Sequence, residues 1–563
     1  MTTSMREMGG VRPVSVRGTR IESIPFSVLR GQARLFLDHQ AHRESVSPYY
    51  PAAVSHHSNL EDRIAEVLAS FETDRAAVCS ALEQINEDYG ASDETRANIG
   101  LLSRDKTVAV LTGQQAGLFS GPLYTIYKAL SAIRSAGSLR SRGIGAVPVF
   151  WMATEDHDLD EVANGFVTGR DGTSVRLSIL PDDAEVGKPV GSVILNRSVE
   201  TAIRNMFETL PSTEYSRELC KKVSEIWTSG KDIATAFGKT LTWLMGKYGL
   251  ILADPRNPTL KTLAAPVYAS AIDKSEAIVE ALRSRSEELV DAGYHAQVQV
   301  GADYFPLFWH TDEGKRVALR RGSDGSIKIK GQRDTFTLRE LQKLSESSPE
   351  RFSPGVMLRP VVQDFLFPTI CYFGGAAEVT YFAQNSEVYR VMQRPATPIF
   401  HRQSFTVVES RHSRTLEKYG IEFLDLFEGE DALLRMIVEK FIDPGTASLF
   451  DEVEASVGEE LDRLGEALAG IDGTLAANLT TRRRKISYHL GALRKKFQRR
   501  RAETNETIAR RVKAAVRSLA PQGVLQERSL NVFTFLNMLG PRFIDTVYEA
   551  VDLNDGGHRV IYL

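Results

Sequence analysis

A run of four apolar residues, Val108 to Leu111, is followed at once by a glycine-bearing loop and then by a helical pattern. The loop extends from Gly113 to Gly121, and Pro122 stands where a helix could begin, since proline is tolerated in the first helical turn. A short apolar run of this kind is typical of a strand buried in a parallel sheet. The order of these segments predicts one strand-loop-helix unit.

Two later segments repeat this order. Val147 to Ala153 is an apolar run that ends at an acidic cluster, and Gly249 to Ala253 is a third run, which ends at Asp254. Short apolar strands that alternate with helices predict an α/β fold with a parallel sheet, in which ligands bind beyond the carboxyl ends of the strands. All three polar clusters fall at such ends, so we expect the functional site there.

The chain is long enough for further domains, because 563 residues correspond to about three to four units of roughly 150 residues. Alternating segments rich in glycine and aspartate between residues 165 and 210 predict a β-containing insertion. Two short segments, Gln297 to Val300 and Val317 to Arg320, are predicted to be strands of a second insertion.

The C-terminal third has the periodicity of a coiled coil. Apolar residues recur every three or four positions from Val453 to Leu479, and a second periodic run extends from Ile486 to Leu519 after a polar break. Two antiparallel helices are the simplest arrangement of these two runs. Their apolar seam could bind a second copy of the chain, which we favour, or pack within the chain.

The overall charge gives no support for a nucleic-acid-binding protein. Lysine and arginine number 69, and aspartate and glutamate number 72, so the formal net charge is −3. The ten basic residues between Arg482 and Arg501 alternate with the apolar seam, which a solvated helical face explains first. The three cysteines lie far apart in the sequence. Neither a signal peptide nor an apolar run of about 18 residues is found. We therefore expect a cytoplasmic protein without a membrane span.

The glycine loop is the first candidate site. Gly113, Gly117 and Gly121 could let backbone N–H groups approach an anionic ligand, and Gln114 and Gln115 offer both donors and acceptors. The four-residue spacing differs from the dinucleotide pattern, and no Gly-Lys-Ser/Thr ending marks a P-loop. A purely structural strand-turn-helix is about as frequent, so the loop alone does not decide.

The acidic cluster after the second strand is the sharper signal. Five carboxylates lie within seven residues around His157, namely Glu155, Asp156, Asp158, Asp160 and Glu161. Crowded like charges raise carboxyl pKa values and nearby anions raise that of histidine, so acid-base chemistry or cation binding is available. The alternative is a helix N-terminus with acidic first-turn residues, which needs only one or two of these groups. A whole cluster at the end of a strand favours function.

Further polar residues could recognise carboxylate or amine groups. Asp254 ends the third strand, although a turn-rich segment of this kind is mostly just a loop. The stretch from Pro354 to Gln384 is expected to return to the core, and it carries six candidates: Arg359, Gln363, Asp364, Glu378, Tyr381 and Gln384. A structural role is a substantial alternative for each of them.

Several motifs together resemble a known family. They are Leu111-Thr-Gly-Gln-Gln-Ala-Gly-Leu-Phe-Ser-Gly-Pro-Leu-Tyr124-Thr-Ile-Tyr-Lys128, Val147-Pro-Val-Phe-Trp151 with Glu155-Asp-His-Asp158, Leu358-Arg-Pro-Val-Val-Gln-Asp364, and Tyr381-Phe-Ala-Gln384. On these motifs the chain is similar to the bacillithiol biosynthesis cysteine-adding enzymes, the BshC family. The resemblance extends from the N-terminal lead-in to Gln522-Gly-Val-Leu-Gln-Glu-Arg528 and so covers nearly the whole chain.

The resemblance implies a Rossmann-like core related to class I aminoacyl-tRNA synthetases and nucleotidyltransferases, two connecting-peptide insertions, and an α-helical antiparallel coiled-coil domain that forms a homodimer. It predicts a helical lead-in and first part of the core at 1–164, a first insertion at 165–245, core at 246–294, a second insertion at 295–345, completion of the core at 346–430, the coiled coil at 431–520, and a segment at 521–563 that returns to the core. The synthetase signatures His-x-Gly-His and Lys-Met-Ser-Lys-Ser are not found at the expected places, so no ATP-activating residues are carried over from them.

The activity that the resemblance implies is amide-bond formation between two small-molecule substrates, cysteine and the amine of glucosaminyl-malate. ATP, with Mg²⁺, would activate the cysteine carboxylate as an adenylate or acyl phosphate, and no tightly bound metal is expected. His157, poised by Glu155, Asp156 and Asp158, is the candidate general base or cation organiser. Nucleic acid and membranes are not expected partners.

The remaining candidates are assigned to binding. The expected cradle for phosphate or the acyl intermediate comprises Gln114, Gln115, Gly117 and Gly121, and Gly113 and Tyr124 are further expected substrate- or nucleotide-binding residues. Asp254 and Arg359 would hold the amine and carboxylate ends of the substrates. Two alternatives stay open: an ATP-dependent ligase or nucleotidyltransferase for another small amine and acid, and a coiled-coil scaffold that has lost catalysis.

Overall fold

The computed structural model describes residues 14–16, 19–50, 57–169 and 171–563. The rest of the predicted lead-in, namely residues 1–13, 17–18 and 51–56, lies outside the described residues. The chain divides into two compact units, the first formed by Met1–Val167, Val175–Thr406 and Glu527–Ile561, and the second by Thr168–Ser174, Val407–Gln526 and Tyr562–Leu563. The boundaries of the seven predicted segments stay predictions.

The described residues form strands β1 (Val14–Val16), β2 (Thr19–Ile24), β3 (Val108–Gln114), β4 (Ala146–Met152), β5 (Asn164–Thr168), β6 (Ser174–Ser178), β7 (Ile251–Ala253), β8 (Tyr304–His310), β9 (Arg316–Arg321), β10 (Ile327–Ile329), β11 (Thr335–Phe336), β12 (Phe352–Pro354), β13 (Thr369–Gly374), β14 (Ile399–His401), β15 (Ser404–Val408) and β16 (His558–Tyr562). They form helices α1 (Arg34–Gln40), α2 (Ile64–Ala69), α3 (Arg75–Tyr89), α4 (Asp93–Leu102), α5 (Leu123–Ser141), α6 (Leu159–Val162), α7 (Ser198–Thr209), α8 (Ser216–Ile226), α9 (Ile233–Met245), α10 (Pro258–Asp273), α11 (Ser275–Asp291), α12 (Leu338–Ser347), α13 (Arg359–Leu366), α14 (Ala376–Val391), α15 (Ser410–Tyr419), α16 (Glu430–Ile437), α17 (Pro444–Ala469), α18 (Gly473–Thr504), α19 (Glu506–Leu519), α20 (Gln526–Ser529), α21 (Phe533–Leu539) and α22 (Arg542–Ala550). Within these residues, no helix is both long and apolar enough to cross a membrane.

The core of the first unit is a five-stranded parallel sheet in the order β14-β13-β3-β4-β7. Strands β3 and β4 are buried along nearly their full length, because both faces of a parallel sheet are covered, and this explains their continuous apolar sequences. The chain moves from β3 outward to β4 and β7, and then returns to place β13 on the other side of β3. The predicted α/β fold with a Rossmann-like parallel core is confirmed, with the three predicted strands as β3, β4 and β7.

This strand order fixes where a ligand can bind. The direction of winding reverses between β3 and β13, and at such a switch point the loops beyond the carboxyl ends of the strands diverge and leave a crevice. The glycine loop follows β3, the acidic cluster follows β4, and α14 follows β13. All three therefore meet at one edge of the sheet.

An antiparallel sheet in the order β11-β10-β9-β8-β12 lies in the second predicted insertion and the residues after it. The predicted strand Val317 to Arg320 lies within β9, but the predicted strand Gln297 to Val300 is wrong. The side chain of Gln384 accepts a hydrogen bond from the N–H of Val298 at 2.9 Å and donates to its carbonyl oxygen at 2.9 Å. A side-chain amide thus satisfies the backbone groups that a neighbouring strand would have paired.

Helices α17 and α18 of the second unit form the predicted coiled-coil hairpin, but the turn lies earlier than the periodicity indicates. Asp472 caps α18 by accepting a hydrogen bond from the N–H of Thr474 at 2.7 Å. Leu475 and Leu479, predicted on the first helix, therefore lie on the second, because the apolar period continues across the turn and hides it.

Ion pairs across this hairpin show that its helices are antiparallel. Arg483 contacts Asp462 in α17, and Arg494, further along α18, contacts Asp451, nearer the start of α17, at 2.7 Å. Both arginines belong to the basic run of the sequence. Their pairing across the surface of the hairpin agrees with the interpretation of that run as a solvated helical face.

A C-terminal segment of the first unit closes the glycine loop. The amide of Asn531 donates hydrogen bonds to the carbonyl oxygens of Phe119 at 2.8 Å and Gly121 at 2.9 Å. The N–H of Leu123, at the start of α5, donates to the carbonyl oxygen of Leu530 at 2.9 Å. Phe119 and Gly121 have φ angles of 53° and 72°, a region that side chains with a Cβ rarely adopt. The Asn531 side chain therefore holds the loop in a shape that it would not prefer alone.

Candidate functional site

A cavity of about 470 Å³ occupies the crevice at the carboxyl ends of β3, β4 and β13. Nine of the predicted site residues line it: Gly113, Gln114, Gln115, Glu155, Asp156, His157, Arg359, Glu378 and Tyr381. Its other polar wall residues are Glu161 and, from the antiparallel sheet, Tyr304 and Arg316. The structure therefore brings the glycine loop, the acidic cluster and the segment after β13 to one place.

Lys128 holds the base of this cavity together. Its ammonium group is buried and donates to the carbonyl oxygen of Gly113 at 2.8 Å and to Oε1 of Gln114 at 2.9 Å, and it forms an ion pair with Glu378. Burial lowers the pKa of Lys128. Burial also acts to raise the pKa of Glu378, but the charges of Lys128 and Arg359 outweigh it and the pKa is lowered. Lys128 and Glu378 therefore neutralise each other's charge.

Arg359 is the cation that the cavity leaves available. It begins α13 and donates a hydrogen bond to the hydroxyl group of Tyr381. Its Nε is buried without a hydrogen-bond partner, and within the described chain no carboxylate lies at ion-pair distance from it. A guanidinium in this state is suited to bind a carboxylate or phosphate group of a ligand, because two parallel N–H groups match two oxygens.

Glu155 is not free to act on His157. It is buried and forms an ion pair with Lys261 of α10, and Nε2 of His310 lies 3.8 Å from its Oε1. Burial raises the pKa of Glu155, whereas Lys261 opposes that shift. Burial and the charge of Lys261 lower the pKa of His310 to about 3, so this histidine is neutral.

Arg316 determines the tautomer of His157 and helps to lower its pKa. Nη1 of Arg316 lies 3.1 Å from Nδ1 of His157, and a guanidinium can only donate, so Nδ1 carries a lone pair. Arg316 is itself fixed by hydrogen bonds to Ser353 at 2.9 Å and to the carbonyl oxygen of Pro354 at 3.0 Å. Burial and then the charge of Arg316 lower the pKa of His157, so the ring is neutral at pH 7 with its proton on Nε2. His157 thus offers a hydrogen-bond donor at Nε2, and its role as general base or cation organiser stays a prediction.

Substituting Arg316 is expected to remove the preference of His157 for the tautomer protonated on Nε2. In R316M, the pKa of His157 should rise toward its usual value of about 6.5, because a neighbouring cation is removed, and the Nδ1–H form should become populated. Ring ¹⁵N shifts of the full chain, with His157 assigned through H157Q, measure both quantities. R320M is the matched control, since Arg320 lies in the same strand but pairs with Asp303 at 3.5 Å. An unchanged ring in R316M would contradict this interpretation.

Gln115 joins two carboxylates at the rim of the cavity. Its Nε2 donates to Oδ2 of Asp156 at 3.0 Å and to Oε2 of Glu161 at 2.7 Å. Burial acts to raise the pKa of Asp156, but Arg316 and the hydrogen bond from Gln115 outweigh it and the pKa is lowered. The pKa of Glu161 is raised, first by burial and then by the charges of Asp156 and Asp158. The environment therefore drives the two pKa values apart.

Three predicted residues lie near the cavity but have structural partners. Asp158 caps α6 by accepting a hydrogen bond from the N–H of Glu161 at 3.2 Å. Gly117 packs against Gly121, since a Cβ on Gly117 would lie 2.9 Å from the Cα of Gly121. With Leu530 and Asn531 covering the start of α5, the phosphate cradle at Gly117 and Gly121 stays a prediction.

The other five predicted residues do not line the cavity. Asp254 is buried and pairs with Arg256 at 2.7 Å, and the ring of Tyr124 lies beneath Arg402, 5.6 Å from it. Burial raises the pKa of Asp364 to about 6. Gln363 is fully buried with neither amide atom hydrogen-bonded, and Gln384 holds the backbone of Val298. Binding roles for these five residues stay predictions that the cavity geometry does not favour.

Sequence reasoning missed Lys128 and Arg316. Lys128 had a signal, because a lysine amid the apolar residues of α5 is almost never fully buried without a partner. Arg316 had none, since it reaches the cavity from an antiparallel sheet about 160 residues after the acidic cluster. Among the described residues, no group of three or more His, Cys, Asp or Glu side chains is arranged to hold a metal ion. The use of Mg²⁺ with ATP stays a prediction.

Comparison with known proteins agrees with this architecture. Residues 20–403 match the family model described as "Bacillithiol biosynthesis BshC, N-terminal Rossmann-like domain", and residues 405–563 match "Bacillithiol biosynthesis BshC, C-terminal coiled-coil domain". A Koribacter versatilis protein named "Putative cysteine ligase BshC" is 35% identical over 540 residues, which are 96% of this chain and 99% of that relative. Relatives of the same name from Solibacter usitatus and Salinibacter ruber are 33% and 31% identical, over 95% and 94% of this chain and 98% and 96% of their own lengths. The chain belongs to the BshC family.

Proposed function

We propose that this chain is an ATP-dependent cysteine ligase that joins the carboxyl group of cysteine to the amine of glucosaminyl-malate in bacillithiol biosynthesis. Family membership supports the ligase activity, since the relatives are named cysteine ligases. The observation that carries the proposal is Arg359, a guanidinium in the cavity with no carboxylate partner in the described chain. Such a group fits a substrate that brings its own carboxylate or phosphate.

The same observation supports ATP as the activating co-substrate. A carboxylate and an ammonium ion do not condense unaided, so one oxygen of the carboxylate must first be converted into a leaving group. The cavity volume of about 470 Å³ falls in the range of small-ligand sites, about 300–1,000 Å³. Arg359 would bind the carboxylate or phosphate oxygens, while the Nε2–H of His157 would donate to an acyl oxygen as negative charge develops on it. ATP would supply the phosphoryl or adenylyl group.

The test incubates the purified chain with ATP, Mg²⁺, cysteine and glucosaminyl-malate, and follows the thiol product and the nucleotide by mass spectrometry. We expect the amide product with AMP or ADP. In R359M, kcat/KM should fall roughly 10- to 150-fold, because a hydrogen bond to a charged group contributes about 1.5–3 kcal/mol. R390M is the control, since Arg390 is exposed on α14 and pairs with Glu387 at 2.7 Å.

Other results would redirect the proposal. If cysteine and ATP bind but this amine gives no product, the chain is a ligase or nucleotidyltransferase for another amine and acid. If neither binds, the chain is a scaffold. If R359M were as active as R390M, Arg359 would not be a substrate-binding residue.

We also propose that the second unit forms a homodimer. Large apolar side chains of α17 and α18 remain exposed within the described chain, such as Leu449 at 56%, Leu464 at 46% and Leu493 at 56%. A helical hairpin with an uncovered apolar seam is suited to pack against a second copy of itself. Sedimentation equilibrium of the full chain measures the oligomeric state, and a monomer at micromolar concentration would contradict this proposal.

A further inference from the structure

The carboxylates of the cavity differ in whether a cation already neutralises them. Glu155 forms an ion pair with Lys261, and Glu378 forms one with Lys128. All four side chains are largely withdrawn from water. Breaking such a pair would leave a charge buried without compensation, so neither carboxylate is available to a cationic ligand.

The remaining two carboxylates are the pair bridged by Gln115. Asp156 lies 3.8 Å from Nη1 of Arg316, within ion-pair distance. For Glu161, in contrast, no lysine, arginine or histidine lies at that distance in the described part of the chain, and its hydrogen bond comes from the neutral amide of Gln115. Glu161 is therefore the one carboxylate of the described cavity wall that still lacks a cation.

We propose that Glu161 binds the ammonium group of the amine substrate and accepts the protons that this group loses during amide formation. This inference rests on the proposed function, because it requires an amine that attacks an activated acyl group. Glu161 is negatively charged, whereas Arg359 is positively charged and has no carboxylate partner within the described chain. The cavity thus offers one site for an anion and one for an ammonium ion.

The reaction balances with this assignment. The ammonium ion gives one proton to the Glu161 carboxylate, which releases it to water, and the neutral amine remains. The nitrogen lone pair then attacks the acyl carbon, a C–N bond forms, and the C–O bond to the phosphate leaving group breaks with its electron pair on that oxygen. The second proton leaves the nitrogen for Glu161, and the amide is complete.

The surroundings of Glu161 suit a group that both takes and releases protons. Burial and the charges of Asp156 and Asp158 raise its pKa, while the hydrogen bond from Gln115 and the charge of Lys128 act in the opposite direction. Two neighbouring carboxylates whose pKa values are driven apart can divide the roles of acceptor and permanent anion. The side chain is also exposed, so a proton can pass on to water.

Binding of the amine tests the assignment without turnover. We compare E161Q with D160N, whose neighbouring carboxylate projects from the same short helix but does not line the cavity. Calorimetry with glucosaminyl-malate and the full chain should show roughly tenfold or more weaker binding to E161Q, near-wild-type binding to D160N, and partial recovery in E161D. Equal affinities for wild type and E161Q would overturn the proposal, even for an enzyme that forms no product.

Turnover tests the proton transfer. With glucosaminyl-malate, kcat of E161Q should fall on the order of 100-fold or more, the usual contribution of a general base. With hydroxylamine, an amine that is uncharged at neutral pH, E161Q should lose much less activity than with glucosaminyl-malate, because no proton need be removed before attack and only the later proton loss is affected. An equal loss with both nucleophiles would contradict the assignment of Glu161 as the group that takes the first proton from the ammonium ion. A wild-type chain that forms neither product would instead contradict the proposed function, and the binding comparison would still decide on Glu161.

Discussion

Replacing Lys128 by methionine is expected to lower the free energy of unfolding of the chain by about 3–5 kcal/mol, because the substitution leaves Glu378 buried without its cation. The carbonyl oxygen of Gly113 and Oε1 of Gln114 would also lose their donor. Both residues line the cavity, so we expect ligase activity to be lost in any K128M protein that still folds.

Urea denaturation of the full chain measures this effect, with K221M as the control, since Lys221 is 79% exposed. The double variant K128M/E378Q should recover part of the loss, because no uncompensated charge then remains. A K128M chain as stable as K221M would show that the pair contributes little to stability.

The second large effect is expected at Glu527, which anchors the C-terminal segment of the first unit. Its carboxylate accepts two hydrogen bonds from Arg402, at 2.9 and 2.7 Å, one from Ser404 at 2.7 Å, and one from the N–H of Phe405 at 3.0 Å. In E527Q the NH2 group of the new amide would face the N–H groups of the Arg402 guanidinium, so hydrogen-bond donors would oppose each other. We expect the free energy of unfolding to fall by about 3–5 kcal/mol.

The stabilisation by Glu527 should depend on pH in a defined direction. Burial acts to raise the pKa of Glu527, but Arg402 outweighs it and the folded-state pKa is lowered. The ionised carboxylate therefore stabilises the fold fully above the pKa of the unfolded chain, about 4.3, and this contribution is lost as the pH falls from there through the folded value. Urea titrations of wild type and E527Q should differ most near pH 7, and the difference should shrink progressively as the pH falls below about 4.3. A difference that persists unchanged in acid would contradict the assignment to this carboxylate.

Strands β3 and β4 are buried on both faces, so their sequences are continuously apolar. This pattern predicted the parallel core. It predicted the meeting of the glycine loop and the acidic cluster for the same reason, since carboxyl ends of neighbouring parallel strands share one edge. It could not show that Glu155 faces Lys261, because that pair joins residues more than a hundred positions apart.

Two wrong predictions share a physical cause. Gln297 to Val300 has a pattern compatible with a strand, but a strand exists only where another backbone can pair with it, and here the Gln384 side chain takes that place. In the coiled coil, the apolar period continues through the turn before Asp472, so the period alone does not locate the turn. Local patterns report which face of an element is buried, and not which partner covers it.

The closure of the glycine loop by Asn531 also bears on synthesis of the chain. Phe119 precedes Asn531 by 412 residues, and ribosomes add about 5–20 residues per second, so roughly 20 to 80 seconds separate the emergence of the two. During that interval the nascent loop lacks the amide that holds its left-handed backbone. A chain released after Tyr381 but before Asn531 would carry every residue that lines the cavity and still lack its closed loop, so the site is assembled only after Asn531 has been synthesised.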